Sequence, residues 1–195
     1  MTRPDERPRL VPAAAQPDAA VTQRRLLAAA MAALIIAADQ TTKAWVLRVL
    51  PDEGMLRPVL PGCLNLVHRR NPGIAFSLFH DWRGAPVFFA IFAVAAALFV
   101  AGLLVRYRTL PWKIVAALAL VAGGALGNVI DRVTPPHTVF DFIDCYLGTA
   151  HWPAFNVADS AICIGAGLLL LASFTDPSAF SPPASSRPAS SDSAR

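Results

Sequence analysis

Two aspartates are the residues of this chain whose positions most strongly indicate chemistry. Asp141 lies in the segment 138–144 (TVFDFID), and Asp159 lies in the segment 155–160 (FNVADS). Each is at the edge of a long apolar run in a sequence that otherwise avoids acids in such runs. A carboxylate at a membrane boundary is costly unless it is paired, hydrated or used, so both positions predict a functional site. Two such acids on consecutive elements predict a carboxyl pair that shares one proton.

The local sequences of the two acids differ in a way that suits such a pair. Asp141 is flanked by Phe140 and Phe142, so desolvation is predicted to raise its pKa. Asp159 falls where the last apolar run begins, and free N–H groups at a helix N-terminus favour the anionic form. One carboxylate could then deprotonate a water molecule while the other protonates the oxygen of a scissile carbonyl. Asp144, three residues after Asp141, is predicted to be solvated or to cap an element.

Several further polar residues recur at helical spacing near the same boundaries. Asn128 and Asp131 share a face at i,i+3 where the third apolar run ends, and Asn156 stands in the same relation to Asp159. Arg132 could bridge a carboxylate, or hold a substrate carbonyl or phosphate bidentately. These residues predict a polar cluster around the carboxyl pair.

Two other groups of residues can be interpreted either as parts of the site or as purely structural features. Asp39 and Lys43 are spaced i,i+4 and therefore share a helical face. They either support the site or neutralise each other while reaching toward the headgroups. Asn71 begins Asn-Pro-Gly (71–73), which is compatible with a simple β-turn.

The composition indicates a membrane protein with four spans. The chain has 195 residues, is 55% hydrophobic and 15% charged, and has a mean hydropathy of +0.48. Residues 85–105 run without a charge, long enough for roughly 30 Å of hydrocarbon. The predicted spans are about 24–47, 85–105, 112–131 and 156–174. A cleavable signal peptide, the alternative for the first run, is disfavoured because no cleavage site followed by a soluble domain is present.

Charge and loop composition predict the topology. The sequence has a net charge of +4, but it contains neither a basic helix nor a basic patch interleaved with aromatic residues. A nucleic-acid-binding function is therefore not supported. Arginines precede the first apolar run, and two arginines and a lysine lie between the second and third runs. Basic residues favour the cytoplasmic side, so both termini are predicted to be cytoplasmic, although residues 48–83 also carry arginines. The connection 48–84 predicts short strands in a small extracytoplasmic sheet. The aromatic connection 132–155 predicts an interfacial loop.

The ends of the chain and its cysteines complete the prediction. Residues 1–22 and the Ser/Pro-rich 176–195 are predicted to be disordered cytoplasmic tails. Cys63, Cys145 and Cys163 lack metal-ligand spacing, and a disulfide between the first two is left open.

Five short blocks of the sequence can be compared with known families as a set. They are residues 39–43 (DQTTK), 71–76 (NPGIAF), 127–132 (GNVIDR), 139–144 (VFDFID) and 155–160 (FNVADS). Together they resemble the motif blocks of lipoprotein signal peptidase, also called signal peptidase II. They occur in the family's order, the resemblance covers about residues 24–174, and no functional position departs from it.

The resemblance implies a bacterial inner-membrane aspartic endopeptidase that needs no metal or organic cofactor and no obligate protein partner. Its expected substrates are diacylglyceryl-modified prolipoproteins, cut before the lipid-bearing cysteine at the periplasmic leaflet. The expected fold is an all-α membrane protein of four transmembrane helices with an extracytoplasmic β-cradle and a periplasmic loop. Sensitivity to globomycin is also implied. By motif position Asp141 and Asp159 are the expected catalytic pair; the expected supporting residues are Asn71, Asn128, Arg132, Asn156, Asp39 and Lys43.

Three other functions account for less of the sequence. A proton-relay transporter predicts acids throughout the membrane depth, whereas here they cluster at one edge, and no inverted repeat is visible. A non-catalytic assembly protein would explain the glycines of the third and fourth runs but not the acids. An intramembrane aspartyl protease of the presenilin or prepilin-peptidase type needs a Gly-x-Gly-Asp block, which the sequence lacks.

Overall fold

Four helices and four strands make up the fold in a computed structural model that describes residues 19–72, 84–107 and 110–176. Of the predicted tails, only residues 19–22 and Asp176 are among the described residues, and Gly73 is not among them. In chain order the elements are α1 (Ala19–Val49), β1 (Leu56–Leu60), β2 (Leu64–Asn71), α2 (Ala85–Arg106), α3 (Trp112–Val133), β3 (Val139–Leu147), β4 (Ala150–His151) and α4 (Val157–Thr175).

The helices confirm the predicted four-span membrane fold. Each is long and apolar enough to cross a bilayer. Helix α3 is the most buried, because α1, α2 and α4 all pack against it. Helices α1, α2 and α4 present large exposed apolar side chains, as expected of surfaces that face lipid. Helix α1 extends beyond the predicted 24–47 at both ends, and it runs without a break through Asp39 and Lys43.

Glycines let α3 and α4 approach each other closely, both at the start of α4 and near its middle. A Cβ added at Gly124 would collide with the carbonyl oxygen of Ala158, and one added at Gly165 would lie 2.7 Å from the carbonyl oxygen of Ala117. Such small residues allow helix backbones to pack closely in a membrane. Asp159, next to Ala158, therefore depends on Gly124 for its distance from α3.

Replacing Gly124 with alanine should destabilise the fold by about 1–3 kcal/mol, because the added methyl must displace the first turn of α4. Thermal unfolding in detergent would measure the change. Gly167→Ala is the matched control, since a Cβ there meets nothing within 4 Å and should leave stability unchanged or slightly raised. Equal melting temperatures for the two variants would contradict the close-packing argument.

The strands form one antiparallel sheet in the order β1-β2-β3-β4, which confirms the predicted small sheet beside the helices. It lies at one end of the bundle (the sheet end), where α1 ends and α4 begins. Phe140 and Phe142 of β3 pack against Val46 and Leu50 at the end of α1. The N–H of Ile143 donates to the carbonyl of Phe155, just before α4, at 2.8 Å. Strand β3 is thus held between the end of α1 and the start of α4.

The sheet register argues against pairing of the two cysteines near it. Leu64 lies opposite Cys145, and the Tyr146 N–H donates to the Cys63 carbonyl, which places Cys63 opposite Tyr146. Successive residues of a strand point to opposite faces, so Cys63 and Cys145 are directed apart. Both are free thiols in this structure.

Candidate active site

Strand pairing places Asp141 beside Asn71. Asn71 lies opposite Val139, two residues before Asp141, so the two side chains share one face of the sheet. The Nδ2 of Asn71 donates to one carboxylate oxygen of Asp141 at 3.0 Å, and the Nδ2 of Asn156 donates to the other at 2.8 Å. Asp141 is only 4% exposed, so its carboxyl group is held by amide donors inside the protein.

A capping box orients Asp159 in the first turn of α4. Asn156 is the N-cap residue, and its Oδ1 accepts from the Asp159 N–H at 2.9 Å. In return the Asp159 carboxylate accepts from the Asn156 N–H at 3.2 Å. A third bond, 2.8 Å long, comes from the Nδ2 of Asn128 on α3. The predicted position of Asp159 at a helix N-terminus is therefore present, and this cap fixes the side chain.

Asn156 links the two aspartates directly. Its amide donates to Asp141 through Nδ2 and accepts from the backbone of Asp159 through Oδ1, and its side chain is fully buried. The same Nδ2 lies 3.2 Å from the Oδ1 of Asn128, which contacts Asp159 through its own Nδ2. The two carboxyl groups thus lie on one network of amides contributed by β2, α3 and the α4 cap.

This environment changes the protonation of Asp141. Burial is the main cause, and the nearby charge of Asp159 adds to it, so that the pKa of Asp141 is raised to about 7. The hydrogen bonds from Asn71 and Asn156 act in the opposite direction without cancelling the effect. Desolvation, which the flanking phenylalanines predicted, is therefore the dominant effect on this carboxyl group.

Asp144 lies apart from the pair because of the pleat of β3. An offset of three residues from Asp141 directs it to the opposite face of the strand. There it accepts from Asn65 at 2.8 Å and contacts His151 at 2.8 Å. Burial by itself would raise the pKa of Asp144, but these two partners outweigh burial and the pKa is lowered. The prediction of a solvated residue was wrong, since Asp144 is 3% exposed.

Lys43 occupies the centre of a buried charge cluster behind the aspartates. Its Nζ lies 2.7 Å from Asp39, 2.8 Å from Asp131 and 3.4 Å from the Oδ1 of Asn128. Asp39 and Lys43 are 0% and 3% exposed, so the pair does not reach toward headgroups. The burial of Asp39 and Lys43 contradicts the headgroup interpretation, and their supporting role stays a prediction.

The two acids of this cluster hold the residues that immediately precede the candidate pair. Asp39 accepts from the N–H of Ala158 at 3.0 Å, and Asp131 accepts from the N–H of Phe140 at 3.1 Å. Lys43 therefore connects the backbone beside Asp159 with the backbone beside Asp141. We call Asp39, Lys43 and Asp131 the charge clamp.

Sequence reasoning did not assign two members of this surrounding network to the site. Asp131 was placed on the face of Asn128 but given no role. Gln40 belongs to the block 39–43 but was not predicted to be a site residue, yet its Nε2 donates to Asp131 at 3.0 Å and to the Gly127 carbonyl at 3.2 Å. The i,i+3 spacing of Asn128 and Asp131 was the available signal, whereas nothing local marks Gln40.

Arg132 lies at the edge of the same cluster. Its Nη1 donates to the carbonyl of Asn128 at 3.2 Å, and its guanidinium lies 5.9 Å from the ring centroid of Phe89 on α2. The charge interacts with Asp159 and Asp141, while the buried Nε has no hydrogen-bond partner among the described residues. All eight residues predicted from the sequence are thus within one connected site. Within the described ranges, no group of three or more His, Cys, Asp or Glu side chains has the arrangement of a metal site.

Comparison with known proteins gives a consistent family. The family model described as signal peptidase (SPase) II matches residues 31–175. A lipoprotein signal peptidase from Syntrophotalea carbinolica is 44% identical over 148 residues, covering 75% of this chain and 89% of that protein. One from Geobacter sulfurreducens is 42% identical over 148 residues, covering 76% and 90%.

Solved structures agree with this result. A bacterial membrane enzyme solved at 2.3 Å resolution by the in meso method is 30% identical and superposes with a TM-score of 0.68, covering 80% of this chain and 93% of that one. A second, solved at 1.9 Å, gives a TM-score of 0.67 at 30% identity, covering 77% and 94%. With four helices able to span a bilayer, a matching family model and similar relatives, the chain belongs to the signal peptidase II family of aspartic-type membrane peptidases.

Proposed function

We propose that Asp141 and Asp159 are the catalytic carboxyl pair of this peptidase. The observation that carries the proposal is that Asn156 contacts both carboxyl groups: its side-chain Nδ2 donates to Asp141, whose pKa is raised, and its backbone N–H donates to Asp159 at the N-terminus of α4. We infer that Asp141, the more buried of the two, holds the proton at rest, and that Asp159, which accepts from the Asn156 N–H and the Asn128 Nδ2, is the anion. This is the division into acid and base that a proton-sharing pair requires.

The proposed reaction follows from these protonation states. Asp159 takes a proton from a water molecule, whose oxygen attacks the scissile carbonyl carbon while Asp141 gives its proton to the carbonyl oxygen. The tetrahedral product then breaks its C–N bond as the amine nitrogen receives a proton from Asp159. Release of the carbonyl oxygen's proton to Asp141 restores the starting state. Every proton is accounted for by the two carboxyl groups, so the reaction requires no metal or organic cofactor.

Arg132 and Asn71 are proposed to position the substrate. The buried Nε of Arg132, without a partner among the described residues, is a donor that a peptide carbonyl would satisfy. Asn71, the last residue of β2, donates to the carboxyl group of Asp141 and so lies beside the position proposed for the scissile carbonyl. Asn128 and Asn156 hold the carboxyl groups, and Asp39 and Lys43 fix the backbone beside them.

The proposed substrates are prolipoproteins that carry a diacylglyceryl group, with cleavage immediately before the lipid-bearing cysteine. Relatives of this chain are named lipoprotein signal peptidases, and the candidate pair lies at the sheet end of a membrane bundle. A lipid-anchored peptide presents its scissile bond at the depth of the headgroups, where a carboxyl pair at a helix end can meet it. Water can also reach that depth.

The proposed orientation places both termini in the cytoplasm of a bacterium and the sheet end at the periplasmic face of its inner membrane. Arg24, Arg25, Arg106 and Lys113 all lie at the end of the bundle opposite to the sheet. Basic residues near the ends of spans favour the cytoplasmic side. Labelling of single cysteines at Cys63 and at an introduced site beside Arg106 with an impermeant reagent would test this orientation.

The direct test is cleavage of a diacylglyceryl-modified prolipoprotein by the purified chain in detergent or lipid. We expect one cut, before the modified cysteine, with inhibition by globomycin and no loss of activity in the presence of a chelator. The unmodified prolipoprotein is the control and should be cleaved poorly. Ion flux through vesicles, without cleavage of any modified substrate, would instead support a transporter.

The pKa of Asp141 predicts how the cleavage rate depends on pH. Because Asp141 must be protonated, the rate should fall as the pH rises through about 7, where this carboxyl group loses its proton. At low pH the rate should also fall, because Asp159 must be anionic. Steady-state kinetics from pH 4 to 9 should give a bell whose two limbs belong to the pair as a unit. A rate that increases steadily above pH 8 would contradict this assignment.

A further inference from the structure

An apolar groove lies at the end of the bundle opposite to the sheet. It has a volume of about 440 Å³ and runs over the surface of α3 between α2 and α4. Its walls include Val100 and Leu103 of α2, Ile114 and Leu118 of α3, and Leu169 of α4. Leu169 is ten residues beyond Asp159, a separation of roughly 15 Å along a helix. The groove is therefore separate from the candidate active site and shares no residue with it.

Basic side chains lie near the end of the groove that is closest to the helix termini. Tyr107 lines this end, and the guanidinium of Arg106, exposed in the last turn of α2, lies 5.8 Å from the centroid of the Tyr107 ring. Tyr107 and Leu110 also line a smaller adjoining cleft that contains Arg24 and Arg25 of α1. The apolar groove thus leads into a cationic cluster formed by α1 and α2.

The two arginines of α1 are held in fixed positions. Arg24 donates to the carbonyl of Leu110 at 2.9 Å, and Arg25 donates to the carbonyl oxygens of Leu104 and Val105 at 3.2 and 2.8 Å. A guanidinium carries five N–H donors, so these bonds leave further donors for an anion. Planar guanidinium groups are also the side chains best suited to phosphate.

We propose that this groove binds one anionic glycerophospholipid, with an acyl chain along α3 and the phosphate beside Arg106 and Arg25. An apolar groove between membrane-spanning helices must be filled by apolar groups, and a flexible unbranched chain fits a volume of about 440 Å³ in which a helix about 10 Å wide would not. Basic pockets between helices at the cytoplasmic side are known to bind anionic headgroups. The diacylglyceryl anchor of a substrate carries no phosphate, so the cationic end distinguishes this site from substrate binding. The inference rests on the membrane fold and on the proposed orientation, and not on the proposed catalysis.

Native mass spectrometry of the full chain in detergent, titrated with palmitoyl-oleoyl phosphatidylglycerol or phosphatidylcholine, tests the proposal. We expect one phosphatidylglycerol retained per chain, bound at least about five-fold more tightly than phosphatidylcholine, as one or more basic residues near an anionic headgroup would give. Ala96→Phe, which places a ring in the groove, should weaken binding of both lipids about ten-fold or more. Gly102→Ala is the matched control on α2 and should bind as wild type, since a Cβ there meets nothing within 4 Å.

A second variant tests the headgroup separately and does not alter the packing. Arg106→Gln, at an exposed position, should weaken phosphatidylglycerol about five-fold and leave phosphatidylcholine unchanged. Equal affinity of wild type for the two lipids, or an unchanged affinity for phosphatidylglycerol in Arg106→Gln, would overturn the anionic site. Unchanged binding in folded Ala96→Phe would overturn the placement of the acyl chain. If Ala96→Phe fails to fold, Arg106→Gln still decides.

Discussion

Replacing either Asp141 or Asp159 with asparagine is expected to lower the rate of prolipoprotein cleavage by about a hundredfold to ten-thousandfold. Asparagine keeps the shape of the side chain and can still hydrogen bond, but it can neither take a proton from water nor give one to a carbonyl oxygen. Loss of a general acid or base typically costs this much. The rate constant at saturating modified substrate is the measurement. The double variant should be little worse than either single variant, since the two groups act as a unit.

Asp144→Asn is the matched control for this experiment. It makes the same chemical change in the same strand, but Asp144 faces Asn65 and His151 on the opposite side of β3. We expect it to keep most of the activity of the wild type. A fully active Asp141→Asn or Asp159→Asn variant, or an Asp144→Asn variant that is folded but inactive, would refute the assignment of the pair.

Replacing Lys43 with methionine should have the largest effect on stability of any single change considered. The variant would leave the carboxylates of Asp39 and Asp131 buried without their cation. Breaking a buried ion pair by removal of one partner costs about 3–5 kcal/mol. Equilibrium unfolding in mixed micelles would measure the loss, and activity should fall with it, because the charge clamp holds the N–H groups of Phe140 and Ala158.

Lys113→Met provides the comparison for a lysine whose ion pair is exposed. Lys113 pairs with Asp176 at 3.1 Å, but about half of its side chain is accessible. An exposed pair contributes up to about 1 kcal/mol, so this variant should unfold almost as the wild type does. Similar stability losses for Lys43→Met and Lys113→Met would mean that the charge clamp is not a structural centre of the fold.

Much of this fold could be predicted from the sequence, because its strongest signals are local. Uninterrupted apolar runs predict the helices. In lipid, a single hydrophobic segment can satisfy its own backbone N–H and C=O groups only as a helix. Turn formers around residues 58–62 and apolar residues beside them predicted the sheet. The capping box of α4 was visible as the spacing of Asn156 and Asp159, and the aromatic neighbours of Asp141 predicted the direction of its pKa.

The remainder depended on contacts between distant segments. The sequence places Asp39 and Lys43 on one face of α1, but it does not say that this face meets Asp131 and the backbone of Ala158. Gln40 contacts residues 87 and 91 positions further along the chain. The burial of Asp144 was missed for a similar reason, since its partner Asn65 lies on β2, 79 positions earlier in the chain. Such contacts exist only after the helices and the sheet have packed.

The amide of Asn156 has a consequence for the steps between water attack and product release. In each catalytic cycle the proton moves from one carboxyl group toward the other and back, so the negative charge changes sides. A lysine or histidine link would favour one side, and its own protonation would compete with the reaction. An amide has no ionisable proton near neutral pH: its Nδ2 can donate to Asp141 in either charge state, and its Oδ1 accepts from the backbone N–H of Asp159, which does not titrate. The surrounding groups therefore need not move when the negative charge passes from one carboxyl group to the other, which keeps the reorganisation energy of this buried site low.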